Sequence, residues 1–390
     1  MRRPVHLLRK SLYGHPDSGT HWEKHLITKL LGVGFTEVDG WDACFVHKRL
    51  GLFLVVYVDD FLLVGDDNSV RTGWELIKKG VKLGPTGPLE HFLGCTHHTA
   101  DKVVDGVKVR EVSFDMKGYL EQSVAAFRAS ASDSKPFPRV DTPYLTEDLH
   151  QLESDMKPGK LASVAQSILP KLLYAARLAR PDLILAINLL SRYLTKWRTF
   201  HDRGLRRLIS YVHGSLDLHL RGAIGEGFPC LNLYCDADFA GDLESARSTS
   251  GMWLVLAGNG WSFPIEWASK RQGCVAHSTP EAELVSLSQG LRTSALPIQS
   301  LCEEVLKRNV LINAFEDNES VIKIMQKGRS PALRHLNKTH RISLGWTAEV
   351  CNSDSVSLKY CPTDEQLADP FTKPLDRVKF LIALSKLNIC

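Results

Sequence analysis

Asp59 and Asp60 stand side by side in Tyr57-Val58-Asp59-Asp60, between the apolar runs Leu52–Val56 and Phe61–Val64. That spacing predicts a hairpin with a carboxylate pair at its tip. Two adjacent acids beside so many branched and aromatic side chains are costly unless a cation meets them, and a divalent metal is the usual one. The same pair is also ordinary turn chemistry. Four further acids sit at strand ends or in early helix turns of the second half of the chain. Asp236 follows the apolar run Leu231–Tyr234, and Asp317 ends another at 310–316. Glu283 falls in Ser278-Thr279-Pro280-Glu281-Ala282-Glu283-Leu284, a helix start with a hydroxyl cap and a first-turn proline. Asp369 closes Asp364-Glu365-Gln366-Leu367-Ala368-Asp369 near a late helix. Hard oxygen ligands from several elements are what a Mg²⁺ or Mn²⁺ site requires. Two such ions about 4 Å apart activate water and stabilise the leaving oxygen when a phosphodiester is hydrolysed. Taken singly, each acid is more often a cap than a ligand.

The elements that must position these acids follow from periodicity. Trp22, Leu26, Ile27, Leu30 and Leu31 recur at helical spacing over 18–31, and Gly32 with Gly34 closes that helix. Strands are expected at 43–46, 52–56, 61–64 and 89–93, with a helix over 70–82 that Gly84-Pro85 ends. Asp105-Gly106 predicts a tight turn between Val103-Val104 and Val107–Val109, and Asp115 caps a helix through Phe127. Residues 130–160, poor in large apolar groups, read as a linker or an extended connection. Three helices follow over 161–218, broken at Arg180-Pro181 and His201-Asp202. Strands near 231–236, 251–256, 261–268, 310–316 and 355–361, alternating with helices, predict a further α/β domain.

Composition sets the outer bounds. With 390 residues, 44% hydrophobic and 24% charged, the chain is expected to fold as two or three domains. A net charge of +4 permits a polyanionic partner without requiring one. Nine cysteines without a CxxC pair argue against a zinc module or a disulfide framework and for a reducing compartment, cytoplasmic or nuclear. Neither a membrane-spanning run nor a signal-peptide core after Met1-Arg2-Arg3-Pro4 is apparent, so no membrane partner is expected.

Over nearly its whole length the chain resembles the C-terminal part of copia-type retrotransposon Pol polyproteins, which holds reverse transcriptase, connection and ribonuclease H. Lys10-Ser11-Leu12-Tyr13-Gly14, Trp22, Gly34-Phe35, Asp42-Ala43-Cys44-Phe45, Tyr57-Val58-Asp59-Asp60 and Phe92-Leu93-Gly94 are similar to the polymerase palm. Arg180-Pro181-Asp182, Asn188-Leu189-Leu190-Ser191-Arg192 and Tyr211-Val212-His213-Gly214 resemble the helical connection. The ribonuclease H likeness is the more specific. Asp236-Ala237-Asp238-Phe239-Ala240-Gly241-Asp242, Arg247-Ser248-Thr249-Ser250-Gly251, Trp267-Ala268-Ser269-Lys270-Arg271-Gln272 and Ser278–Glu283 appear in family order. Asp317-Asn318, Lys338-Thr339-His340-Arg341-Ile342, Gln366-Leu367-Ala368-Asp369 and Phe371-Thr372-Lys373-Pro374-Leu375 follow.

The resemblance implies an α/β (α+β) chain: a partial palm over 1–130, a linker and helical thumb or connection over 131–225, a ribonuclease H-like domain over 226–378 and a tail over 379–390. That domain would be a mixed five-stranded sheet flanked by helices. Asp236, Glu283, Asp317 and Asp369 would be its catalytic metal ligands for Mg²⁺ or Mn²⁺, with Glu281 and Asp238 as neighbours rather than ligands. The substrate would be an RNA–DNA hybrid, read by shape and by 2′-hydroxyl and phosphate contacts. Arg247, Lys270 and Arg271 are its candidate phosphate contacts, and a solvated basic surface is the equal alternative. A homodimer or other Pol products are the protein partners. His340 is expected to be structural. Asp59 and Asp60 would form half of a polymerase site whose further aspartate has no counterpart in Met1–Lys10, so no DNA polymerisation is expected from this chain alone. The competing expectation is a catalytically silent remnant or a nucleic-acid-binding scaffold.

Overall fold

The computed structural model describes residues 12, 14–104, 106–145, 157–242 and 244–390. They form two compact units, one running up to Leu93 with Ser300–Arg308, the other comprising Gly94–Gln299 and Asn309–Cys390. Lys10, Ser11 and Tyr13 of the first palm-like block lie outside the described residues, as does Asp105 of the expected Asp-Gly turn.

In the first unit, helix α1 (Ser18–Gly32) precedes four antiparallel strands in the order β1 (Thr36–Val38), β2 (Trp41–His47), β3 (Leu52–Tyr57) and β4 (Asp60–Val64). Helix α2 (Asp67–Lys78) and a short strand β5 (His91–Phe92) follow. Helical spacing turns Leu26 and Leu30 inward, and strand alternation does the same for Leu52, Leu54 and Val56. Gly34 closes the turn after α1 at φ +95°, where a Cβ would stand 2.9 Å from the His47 ring. Helix α2 begins at Asp67 rather than Val70 because Asp66 caps it, accepting from the Asn68 amide at 3.1 Å. It ends at Lys78, short of the expected Lys82.

The second unit opens on the hairpin β6 (Cys95–Val104) and β7 (Val107–Asp115). Asp115 accepts from the Lys117 amide at 2.7 Å and starts α3 (Lys117–Ala131). Residues 132–145, expected to be a connection, lie against the core: Tyr144 is buried, and its hydroxyl donates to the Leu375 carbonyl at 3.2 Å and accepts from the Leu375 amide at 2.8 Å. Phe137 anchors the same stretch, its ring 6.2 Å from that of Phe127 and under the Arg128 guanidinium.

Helices α4 (Ala162–Leu178), α5 (Ile184–Ser191) and α6 (Thr199–Gly214) follow. The first break falls at Arg180-Pro181 as expected, where a fully buried Arg180 pairs with Asp182 at 2.8 Å and donates to the Ser215 hydroxyl at 2.8 Å. The second falls at Arg192–Arg198, before His201-Asp202. Asp202 lies inside the first turn of α6, accepting from the Lys160 and Leu161 amides at 2.8 and 2.9 Å, a position the helix dipole favours for an acid.

Strand β8 (Leu220–Gly225) pairs antiparallel with β7 and has no counterpart in the sequence reading. Its glycines mask it, yet they are why it packs. A Cβ at Gly222 would come within 2.5 Å of the Phe263 ring, and one at Gly225 within 2.7 Å of the Trp261 ring.

The rest of the unit is built on β9 (Cys230–Asp238), β10 (Thr249–Gly258) and β11 (Trp261–Arg271), then α7 (Thr279–Gly290), the start of α8 (Leu296–Leu306, which from Ser300 on counts with the first unit), β12 (Ile312–Glu316), α9 (Glu319–Lys327), α10 (Leu336–Thr339), α11 (Leu344–Cys351), β13 (Val356–Tyr360) and α12 (Arg377–Lys386). These strands form one five-stranded sheet in the order β11-β10-β9-β12-β13. Strands β9 to β11 run antiparallel, while β12 runs parallel to both β9 and β13. The expected mixed sheet flanked by helices is present, and the chain is α+β.

Helix α7 covers one face of this sheet, where Gly290 leaves room for the Cys235 thiol. On the other face Trp253 stacks on Phe371, and the Trp267 indole donates to the Ala176 carbonyl at 2.7 Å. No helix among the described residues is long and apolar enough to cross a membrane.

Candidate metal centre

Three of the sequence-predicted acids meet at one end of the five-stranded sheet. Asp236, Glu283 and Asp317 each offer an oxygen, and those oxygens all lie within 4.8 Å of one another. Strand register brings two of them together: β9 and β12 are parallel with Phe315 opposite Tyr234, so two residues further along Asp317 comes beside Asp236. Glu283 arrives on the first turns of α7, whose start the Ser278 hydroxyl caps. Residues two apart on a helix point in different directions. Glu281 accordingly turns elsewhere, 3.0 Å from His335 and 3.2 Å from His340, and accepts from the His277 amide at 2.9 Å. Glu281 thereby links the α10 segment to the start of α7.

Asp369 joins the cluster one step out. It opens a short 3₁₀ turn, Asp369–Phe371, and the Thr372 hydroxyl that follows donates to the Asp369 carbonyl at 3.0 Å and to Asp236 Oδ2. Lys373 Nζ stands 3.0 Å from Asp369 Oδ1 and 3.9 Å from Asp236 Oδ2. The sequence names Thr372 and Lys373 only within the Phe371–Leu375 block, with no role of their own. The available signal was their place three and four residues after Asp369. Glu316 was also missed, since it ends an apolar strand; it is fully buried beneath Asp317 and accepts from the Asn318 amide at 3.1 Å.

Burial dominates the electrostatics. Asp236 is 2% exposed, and its desolvation, partly offset by Lys373 and added to by Asp369 and Asp317, pushes its pKa up to about 7. Glu283 is 4% exposed and is pushed up to about 11, first by burial and then by Asp236, Glu316 and Asp317. Burial also raises Glu316 and Asp369. Burial works against the Lys373 charge, but Asp236 and Asp369 more than compensate and raise its pKa. Glu283 Oε2 is buried without a hydrogen-bond partner. Several buried carboxylates with one lysine among them form a donor set that suits hard divalent cations.

Asp59 and Asp60 are exposed at the β3–β4 tip. Tyr57 pairs with Asp60 across a two-residue connection, and Val58 sits at φ +56°, a conformation glycine normally supplies in such turns. The Trp22 indole holds the tip by donating to the Val58 carbonyl at 2.8 Å. No third His, Cys, Asp or Glu joins this pair in a metal-sized group among the described residues.

The three candidate phosphate contacts lie around the ends of β10 and β11. Arg247 is half-buried in the loop before β10, whereas Lys270 and Arg271 are exposed at the end of β11. Being adjacent on a strand, Lys270 and Arg271 point to opposite faces of the sheet.

The mixed sheet and the acids gathered at its end define an α+β protein with an acidic centre. Comparison with known proteins shows which ones the chain is similar to. The chain is 27% identical over 386 residues to the retrovirus-related Pol polyprotein from transposon TNT 1-94 of Nicotiana tabacum, which covers 96% of this chain and 27% of that protein. It is 28% identical over 380 residues to the corresponding polyprotein from transposon RE2 of Arabidopsis thaliana, covering 96% and 24%. A putative transposon Ty5-1 protein of Saccharomyces cerevisiae is 26% identical over 283 residues, covering 71% of this chain and 86% of that protein. No family model matches. Over most of its length the chain is similar to Pol polyproteins of copia-type retrotransposons. It spans about a quarter of the length of the tobacco and Arabidopsis relatives.

Proposed function

We propose that the second unit is a ribonuclease H that cuts the RNA strand of RNA–DNA hybrids with Mg²⁺ or Mn²⁺. The observation that carries this reading is the convergence of Asp236, Glu283 and Asp317 at the end of a mixed five-stranded sheet, with Asp369 beside them. The strand order β11-β10-β9-β12-β13 and the likeness to Pol polyproteins support it. Asp236, Glu283 and Asp317 are the residues that would hold the metal, with Asp369 completing the set. Bound there, the ions supply water activation and stabilisation of the leaving oxygen. Thr372 orients the Asp236 carboxylate, and Lys373 partly offsets the burial that disfavours the charged forms of Asp236 and Asp369. Shape and 2′-hydroxyl recognition give the hybrid little sequence preference.

Asp59 and Asp60 form only part of a polymerase site in this reading, because no third carboxylate joins them among the described residues. The purified chain is therefore expected to extend no primer.

The test is cleavage of an RNA–DNA hybrid labelled on the RNA strand, with Asp236→Asn as control. The reading predicts metal-dependent cutting that the substitution removes; equal cutting by both proteins contradicts it.

A further inference from the structure

Beside the acidic centre, a buried carboxylate holds two arginines at the end of the same sheet. Asp242, 2% exposed at its side chain, stands 2.9 Å from the Arg271 guanidinium and 3.9 Å from that of Arg192. Its other oxygen accepts from the Glu244 and Ser245 amides at 3.2 and 3.3 Å. Burial opposes the charge on Asp242, but Arg271, the Ser245 amide and Arg192 outweigh it and hold the carboxyl below its usual range. Arg192 is fixed in turn by donating to the Thr249 hydroxyl at 2.9 Å and is 8% exposed, whereas Arg271 leaves 37% of its side chain open. Asp238 also acts on Arg192, and the open side chain of Arg271 is the part of the cluster that a ligand can reach.

Register fixes which way the cluster faces. Asp236 pairs with Gly251 and Gly251 with Ser269; Asp238 pairs with Thr249 and Thr249 with Arg271. Paired residues and residues two apart share a sheet face, so Arg271 lies on the face of Asp236 and Lys270 on the α7 face. Strand spacing puts Arg271 about 10 Å across and about 7 Å along from Asp236. A duplex whose scissile phosphate sits at Asp236 runs its backbone over that distance.

We propose that Asp242 is a positioning residue whose buried carboxylate holds Arg271, with Arg192 behind it, ready to bind a backbone phosphate of the nucleic acid cut at Asp236. An unrestrained exposed arginine loses rotamer freedom on binding, and a fixed one loses less. The purpose of the clamp rests on the nuclease reading, but its test does not require catalysis.

The experiment is equilibrium binding of an RNA–DNA hybrid to the full chain in EDTA across a salt series, followed by steady-state cleavage in Mg²⁺. Arg271→Ala, at an open side chain, should weaken binding about tenfold and reduce the salt slope by about one, the signature of one lost phosphate contact. Asp242→Asn should reproduce the reduced slope with Arg271 still present, raising KM while leaving kcat within about twofold. If Asp242→Asn does not fold, Asp242→Glu, which keeps the charge but moves it, should give the same change. A salt slope unchanged in Arg271→Ala, or a folded Asp242 variant that loses thermal stability with an unchanged slope, overturns the proposal, as does a wild-type chain that binds no hybrid. A wild-type chain that binds but never cleaves sinks the nuclease reading, and the slopes still decide the clamp.

Discussion

Tyr234 and Phe315 stack ring on ring, 4.6 Å apart and within 10° of parallel, across the paired strands β9 and β12. Two residues further along the same strands stand Asp236 and Asp317. The stack fastens the register that brings the two acids together, and a slip of one residue would send one of them to the opposite face. Phe315→Ala should therefore act at the site as well as on the fold. It is expected to cost about 2 kcal/mol of stability, allowing for the partial exposure of the ring. It should also raise the Kd for Mg²⁺ severalfold; denaturant titration and calorimetry measure the two effects separately.

The two glutamates of α7 should separate function from scaffold. Glu283→Gln is expected to lower hybrid cleavage by more than about a hundredfold, beyond the range that losing an outer-shell partner gives. Glu281→Gln leaves the carboxylate cluster intact and loosens the contacts to His335 and His340. It should hold cleavage within about tenfold while lowering the melting temperature. Cleavage rates and melting curves of both variants check the assignment.

Acids with raised pKa values in the fold carry a definite sign of pH dependence. Asp236 lies at about 7 in the folded protein against an ordinary value of 3.8, so between those values the folded state binds more protons than the unfolded one. Stability of the metal-free protein should fall as pH rises through that window, by on the order of a few kcal/mol. Added Mg²⁺ should reverse the trend, since it binds the deprotonated form and its affinity rises with pH. Lys373→Met removes the internal cation and should steepen the metal-free decline. Melting temperatures at pH 5 and pH 8, with EDTA and with Mg²⁺, measure all three.

Much of this site was legible in the residues because the signals were local. Asp236 and Asp317 end apolar strands, Glu283 follows a capped helix start, and all five central strands announce themselves in the sequence. What escaped notice depends on long-range packing. Strand β8 hides behind glycines whose value appears only when Phe263 and Trp261 lie against them. Tyr144 sits in a polar stretch and is buried by Leu375, more than two hundred residues away. Asp242 reads as one more loop acid until Arg192 and Arg271 arrive from separate elements. Glu316 was absorbed into its apolar strand, although its burial contributes to the charge balance of the whole centre.

In the first unit the strained tip depends on a single indole. Val58, a β-branched residue at positive φ, is held through its carbonyl by Trp22. Trp22→Phe keeps most of the ring and removes the donor, and should cost about 1 kcal/mol. Hydrogen exchange at residues 57–60 should quicken in the variant while cleavage by the second unit stays unchanged; unaltered exchange would mean the turn is stable without the indole.

The central claim is that Asp236, Glu283 and Asp317 together hold a divalent cation. Crystals grown with Mn²⁺ and measured for anomalous scattering address it directly. The account predicts a peak among these three carboxylates, absent in Asp236→Asn. An empty cluster at millimolar Mn²⁺, or a peak that persists unchanged in the variant, would contradict it.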